Sequence, residues 1–123
     1  MARGTLLAES LQLGVAFEPN GMVVTQIVRR GPFDEMPRDQ PPIWTFVEFT
    51  IDDCAAAEVA AMLASRLDPV GGWYCDFRTA IETFVAFPGR VFRYRRGDAV
   101  GRSEAAAYAR SIGIPGSQID WPE

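Results

Sequence analysis

The chain has 123 residues, 48% of them hydrophobic, and a net charge of −4. That size and composition describe one globular domain able to bury a core without disulfide or metal staples, and the acidic balance counts against a dedicated nucleic-acid binder. Histidine is absent and the two cysteines, Cys54 and Cys75, share no metal-ligand spacing, so Ser–His–Asp and Cys–His catalysis and His-bearing zinc sites are excluded and neither metal nor cofactor is expected.

In chain order, residues 1–10 read as a tail or a short helical turn. Leu11, Leu13, Val15 and Phe17 alternate with other residues as in a half-buried strand. Glu18-Pro19-Asn20-Gly21 supplies turn chemistry, and the β-rich run 22–30 follows, so an N-terminal hairpin is expected over residues 1–30. Four prolines between 31 and 42 break all periodicity and mark a connector. The main unit, 43–123, opens with an aromatic and β-branched strand at 43–51. Asp52 or Asp53 is placed to cap a helix running to about Leu67, with Ala55, Val59, Met62, Leu63 and Leu67 as its apolar stripe. Pro69 and Gly71-Gly72 stop it. Strands follow at 73–79, 83–87 and 90–96, the last two joined by a Pro88-Gly89 turn. Ser103 is placed to cap a second helix through Ile112, with Gly113 terminating it.

Strands outnumber helices and are joined by tight turns. The expected fold is therefore α+β: an antiparallel sheet with two helices on one face, a ferredoxin-like-related βαββα core plus an N-terminal β-hairpin, all in one domain. No segment of signal-peptide type and no run of the ~20 apolar residues needed for a membrane span is visible. A cytoplasmic protein with reduced thiols and no membrane partner is expected.

The stretch 73–96 is the most aromatic in the chain, and its five arginines against Asp76 and Glu82 make it locally basic. Arg93 and Arg95 fall on one side of their strand. With Tyr74, Asp76 and Arg78 they are the candidate ligand-binding residues, because guanidinium groups offer bidentate donors to an anion and a phenol ring offers a stacking face. The plainer reading is a solvated face that protects a sheet edge. The strand at 83–87, TFVAF, is apolar on both faces and needs cover on both. A hairpin or a second copy of the chain would supply it, which makes self-association through the sheet an expectation. Incomplete cover would leave a pocket lined by Trp44, Phe46, Trp73 or Phe84. Glu48, Asp76 and Glu82 are the candidate acid–base carboxylates of such a pocket. Cys75 reads as a buried core thiol, and Cys54, in a first helical turn, as the more reactive one. Arg96-Gly97-Asp98 reads as turn chemistry.

From about Trp44 onward the chain resembles a group of small uncharacterised bacterial proteins. The likeness is carried by Gly72-Trp73-Tyr74 with Asp76-Phe77, by Val85 to Phe92 around Pro88-Gly89, and by Tyr108, Ile112-Gly113-Ile114-Pro115, Gln118 and Asp120-Trp121. It implies a recurrent domain and assigns no activity. The function expected from the residues is binding: a homodimer interacting through its sheet or with another protein, or alternatively a small enzyme or ligand-binding protein whose aromatic pocket takes a hydrophobic anionic molecule.

Overall fold

The computed structural model describes residues 1–36 and 40–122. Six strands form one sheet in the order β2-β3-β1-β4-β5-β6, antiparallel throughout. They are β1 (Ala2–Leu7), β2 (Met22–Arg30), β3 (Trp44–Ile51), β4 (Cys75–Arg78), β5 (Glu82–Phe87) and β6 (Arg90–Arg95), with helices α1 (Ala56–Arg66) and α2 (Ala99–Ser111). The α+β class and the β-α-β-β-β-α order from residue 44 match expectation. Among the described residues no helix is long and apolar enough to cross a membrane.

The N-terminus departs from expectation. Residues 2–7 are no tail: they form the strand between β3 and β4, paired with β3 from Ala2↔Ile51 to Leu7↔Phe46 and with β4 at Gly4↔Phe77. Ala2 and Leu6 are buried. Gly4 lies under the ring of Phe49, where a Cβ would come within 2.7 Å of Phe49 Cζ. The expected hairpin is absent, because β1 and β2 flank β3 from opposite sides.

Residues 11–17 form no strand. Leu11 makes a single bridge to Leu67 and Phe17 packs on the core, but Leu13 is fully exposed. The segment is pinned to the end of α1 by backbone bonds from Gln12 N–H to Arg66 O (2.9 Å) and Asp68 N–H to Ser10 O (2.7 Å). Of the connector expected at 31–42, residues 37–39 lie outside the described residues. On either side of them, Phe33 N–H donates to Pro42 O (2.8 Å).

The helices lie on opposite faces, not on one. Alternate residues of a strand point to opposite sides. Phe84 and Ala86 of β5 join Val59, Ala60 and Leu63 of α1 in one core, whereas Val85 and Phe87 join Ala105, Ala106 and Ala109 of α2 in another. This is how the doubly apolar strand is covered: by the chain's own two helices, α2 being extended by Ile114, Ile119 and Trp121 of the segment that follows it. Neither expected cap forms as anticipated. Asp52 makes no side-chain cap to the turn 53–55 that leads into α1, while Asp53 pairs with the N-terminal ammonium at 3.0 Å. Helix α2 starts at Ala99, with Asp98 rather than Ser103 as its cap, the carboxylate accepting from Gly101 N–H at 3.0 Å. Arg96-Gly97-Asp98 is therefore the turn and cap that launch α2. Gly113, with φ +90°, ends that helix in the left-handed conformation.

Candidate functional site

The α2 face of the sheet is only half covered. Helix α2 sits over β5 and β6, and the segment after it folds back as a strap along β4. Tyr94 Oη donates to Pro122 O (2.8 Å), and Arg102 donates to the carbonyls of Trp121 (3.2 Å) and Ile119 (3.3 Å). The Trp121 ring stands edge-on to Tyr74, centroids 5.1 Å apart. Beyond the strap, the same face of β1 and β3 is open. The pairs Arg3↔Thr50, Thr5↔Glu48 and Leu7↔Phe46 step along it, about 7 Å from one pair to the next.

Two cavities open side by side on this surface. The first, about 400 Å³, is walled by Arg3, Thr5, Thr25, Glu48 and Thr50, together with Gly4 and Phe49. The second, about 270 Å³, lies between the sheet and the strap and is lined by Trp44, Phe46, Trp73, Tyr74, Asp76 and Asp120, together with Leu7, Gln40, Gly72, Ser117 and Gln118. Trp44 and Trp73 meet edge to face at 6.4 Å. Trp44 is held by its indole N–H on Pro41 O (2.9 Å), and Gln40 Nε2 donates to Gly71 O (2.5 Å) at the rim. Gly71, at φ +112°, lets the chain pass beneath Trp73; a Cβ there would meet the indole nitrogen at 2.6 Å.

The chemistry of the second cavity centres on two carboxylates. Tyr74 donates its hydroxyl to Gln118 O and to Asp120 Oδ1 (3.0 Å), which ties the strap to β4. Burial, followed by the neighbouring Asp120, pushes the Asp76 carboxyl up to about 6; its own backbone N–H and the Arg78 guanidinium pull the other way. Burial first and Asp120 second push the Tyr74 phenol well above its usual range, so it stays a hydrogen-bond donor. A carboxyl that titrates near neutral pH can exchange protons or hold a cation. Among the described residues no group of three or more acidic, Cys or His side chains is placed to hold a metal ion.

The expected site residues divide between the two faces. Asp76 and Arg78 do share one side of β4, Tyr74 just before that strand lines one cavity with Asp76, and Trp44, Phe46 and Trp73 line the same cavity. Arg93 and Arg95 do not join them. Arg93 is opposite Phe84 and Arg95 opposite Glu82 in the ladder, which places both on the α1 face. There Arg93 makes a two-pronged contact to Glu82 (2.5 and 2.7 Å) and lies over the Phe84 ring at 5.1 Å. These hydrogen bonds hold Glu82 below the usual carboxylate range, an ion pair at the sheet edge rather than an acid–base group. The parity of β6 relative to β4 could not be read because turn lengths and register decide it. Phe84 is likewise absent from the cavity, being stacked on Phe77 at 5.3 Å in the α1 core. Arg78 lines a separate shallow depression with Arg3, Thr79 and Arg96. Cys75 is buried, its thiol pushed up by burial and directed at Thr5 O (3.5 Å), whereas Cys54 is exposed.

Sequence reasoning missed Asp120, Gln118, Gln40 and the whole β1 contribution of Arg3, Thr5 and Leu7. The signal for Asp120 was its position beside Trp121, whose burial forces the strap onto the sheet. No family model matches the chain, and neither a curated protein nor a solved structure matches it significantly. The site therefore rests on its own geometry.

Proposed function

We propose that this protein is a small binding protein whose ligand site is the open half of the α2 face. The observation that carries this reading is the second cavity, where three partly exposed side chains, Trp44, Phe46 and Tyr74, and the edge of Trp73 surround two carboxylates under a strap. Aromatic walls with a few convergent polar groups are the usual construction of a small-molecule site. A hydrophobic anionic ligand, the class anticipated above, would find its arginines outside this cavity, at the Arg3 end of the face. The aromatic cavity itself presents negative charge. An NMR titration with single-ring fragments of all three charge types tests the reading. The indole N–H signals of Trp44 and Trp73 are expected to shift with at least one fragment, and that of the fully buried Trp121 to stay in place. Shifts confined to other surfaces contradict the site.

Self-association through the sheet is a second reading, now carried by a different strand. β2 is a nine-residue edge strand with Val23, Val24 and Ile27 about half exposed or more (58%, 50% and 62%), and long apolar edges invite pairing. A bulge at Thr25 interrupts its register with β3 and works against such pairing. Sedimentation of the native chain beside a Val24→Lys/Ile27→Lys variant decides it. A dimer that the double substitution dissolves supports pairing through β2, and a native monomer at every concentration contradicts it.

A further inference from the structure

The strap cavity joins two features that favour the same kind of guest. Asp76 and Asp120 line the same cavity, and Tyr74, close to Asp76 along the chain, donates to Asp120 Oδ1 at 3.0 Å. Burial first and Asp120 second raise the proton affinity of Asp76, and among the described residues no basic side chain lines the cavity. The remaining walls are π-faces, which attract cations through the negative potential over the ring. One wall already does so from its rim: the Arg30 guanidinium lies 5.9 Å over the Phe46 ring. A cation entering between the carboxylates would relieve their mutual repulsion and gain the aromatic faces together.

Building on the ligand-site reading above, we propose that the cavity takes an organic ammonium ion, with its ammonium group between Asp76 and Asp120 and its apolar body against Trp44 and Trp73. A cavity of about 270 Å³ sits at the small end of ligand sites and suits a single-ring or short-chain amine. The carboxylates supply charge-assisted acceptors, which bind an ammonium about twice as strongly as neutral acceptors do. Ser117 and Gln118 of the strap and Gln40 complete the cavity's polar lining. A quaternary ammonium would meet the rings and the charge of the carboxylates without hydrogen bonds, and a primary amine would add hydrogen bonds to the carboxylates.

Charge on Asp76 is required, so binding has a pH dependence of definite sign. The ionisable groups around Asp76 are Asp120 from the strap, Arg78 and the Cys75 thiol (which burial pushes upward) from its own strand, and the phenols of Tyr74 and Tyr94. Neither phenol titrates near neutrality, since burial leads both upward. As pH falls through about 6, Asp76 takes up a proton and the amine is released. The bound ammonium lowers that value, so the release point of the complex lies below that of the free protein.

The experiment compares phenethylamine, 2-phenylethanol and phenylacetate, which share one body and differ in charge. Affinity is read from the Trp44 and Trp73 indole signals, well above and well below the titration of Asp76. Phenethylamine is expected to bind at least about tenfold more tightly than the alcohol above that titration, with phenylacetate the weakest, and to lose the advantage below it. Asp76→Asn and Asp120→Asn, which keep side-chain shape and remove like-charge repulsion, are each expected to shrink the gap between amine and alcohol about tenfold or to nothing. Equal binding of amine and alcohol, or an amine advantage untouched by both variants, overturns the cation assignment and leaves the ligand site standing. If none of the three moves the Trp44 and Trp73 signals while other fragments do, the cation assignment alone falls. If no fragment of any charge moves them, the site falls as well.

Discussion

Removal of residues 1–7 is expected to abolish cooperative folding. In most domains the first few residues can be lost cheaply, because they are poorly ordered. Here they form β1, which pairs with β3 over six positions and with β4 on its other side. Without it the sheet separates into β2–β3 and β4–β5–β6, each with a bare ladder edge. The loss includes the buried Leu6 side chain, worth about 2–5 kcal/mol. It also includes the β1 ladder bonds at about 1 kcal/mol each, and the cover that Ala2 and Leu6 give Phe49 and Ile51. Against a total stability of about 5–15 kcal/mol the sum is decisive. Urea unfolding followed by far-UV circular dichroism should show no sigmoidal transition in the truncated chain. A retained transition with a native-like slope would place the N-terminus outside the sheet.

Trp121→Ala is expected to destabilise the protein by about 3–5 kcal/mol, the usual cost of truncating a buried Trp. Trp121 is 1% exposed and closes the second face of β5, with its ring 6.0 Å from Phe87 and 5.1 Å from Tyr74. Its backbone carbonyl also anchors Arg102 of α2 (3.2 Å). Tyr74→Phe, which removes only the hydroxyl that holds the strap, should cost about 1 kcal/mol and serves as the comparison. Both are measured as shifts in the urea midpoint at constant slope. A Trp121→Ala loss below that of Tyr74→Phe would mean that the strap does not cover the sheet. Pairing with a second copy over β5 would then regain its force.

Where an element was long and its signals agreed, the sequence announced it. Residues 22–30 form a strand over those very positions, and the strands and first helix after residue 43 fall within a few residues of expectation. Hidden elements have specific physical causes. The inward positions of β1 are Ala2, Gly4 and Leu6, with no side chain at Gly4 because Phe49 lies across it, so the strand shows little of the β-branched and aromatic content that marks β2 and β3. Leu11 to Phe17 has the opposite fault: its alternation is regular, yet its residues meet the core, solvent and the α1 terminus in turn. The composition of TFVAF correctly demanded cover on two faces. Which segment supplied it depended on α2 crossing to the side opposite α1, a tertiary choice with no local signature. The candidate site was half legible for the same reason. Aromatics and carboxylates of β3 and β4 were visible as a group, whereas Asp120 enters only once the strap is placed, and Arg93 and Arg95 leave once register assigns β6 its faces.

On our proposal, the open half of the α2 face holds a ligand between Trp44, Trp73 and the Asp76–Asp120 pair. A crystal of the native chain soaked in phenethylamine tests it most directly. Density is expected in the strap cavity, its nitrogen within hydrogen-bond distance of both carboxylates and its ring against the two indoles. Density on another surface, with the strap cavity unchanged, would contradict it.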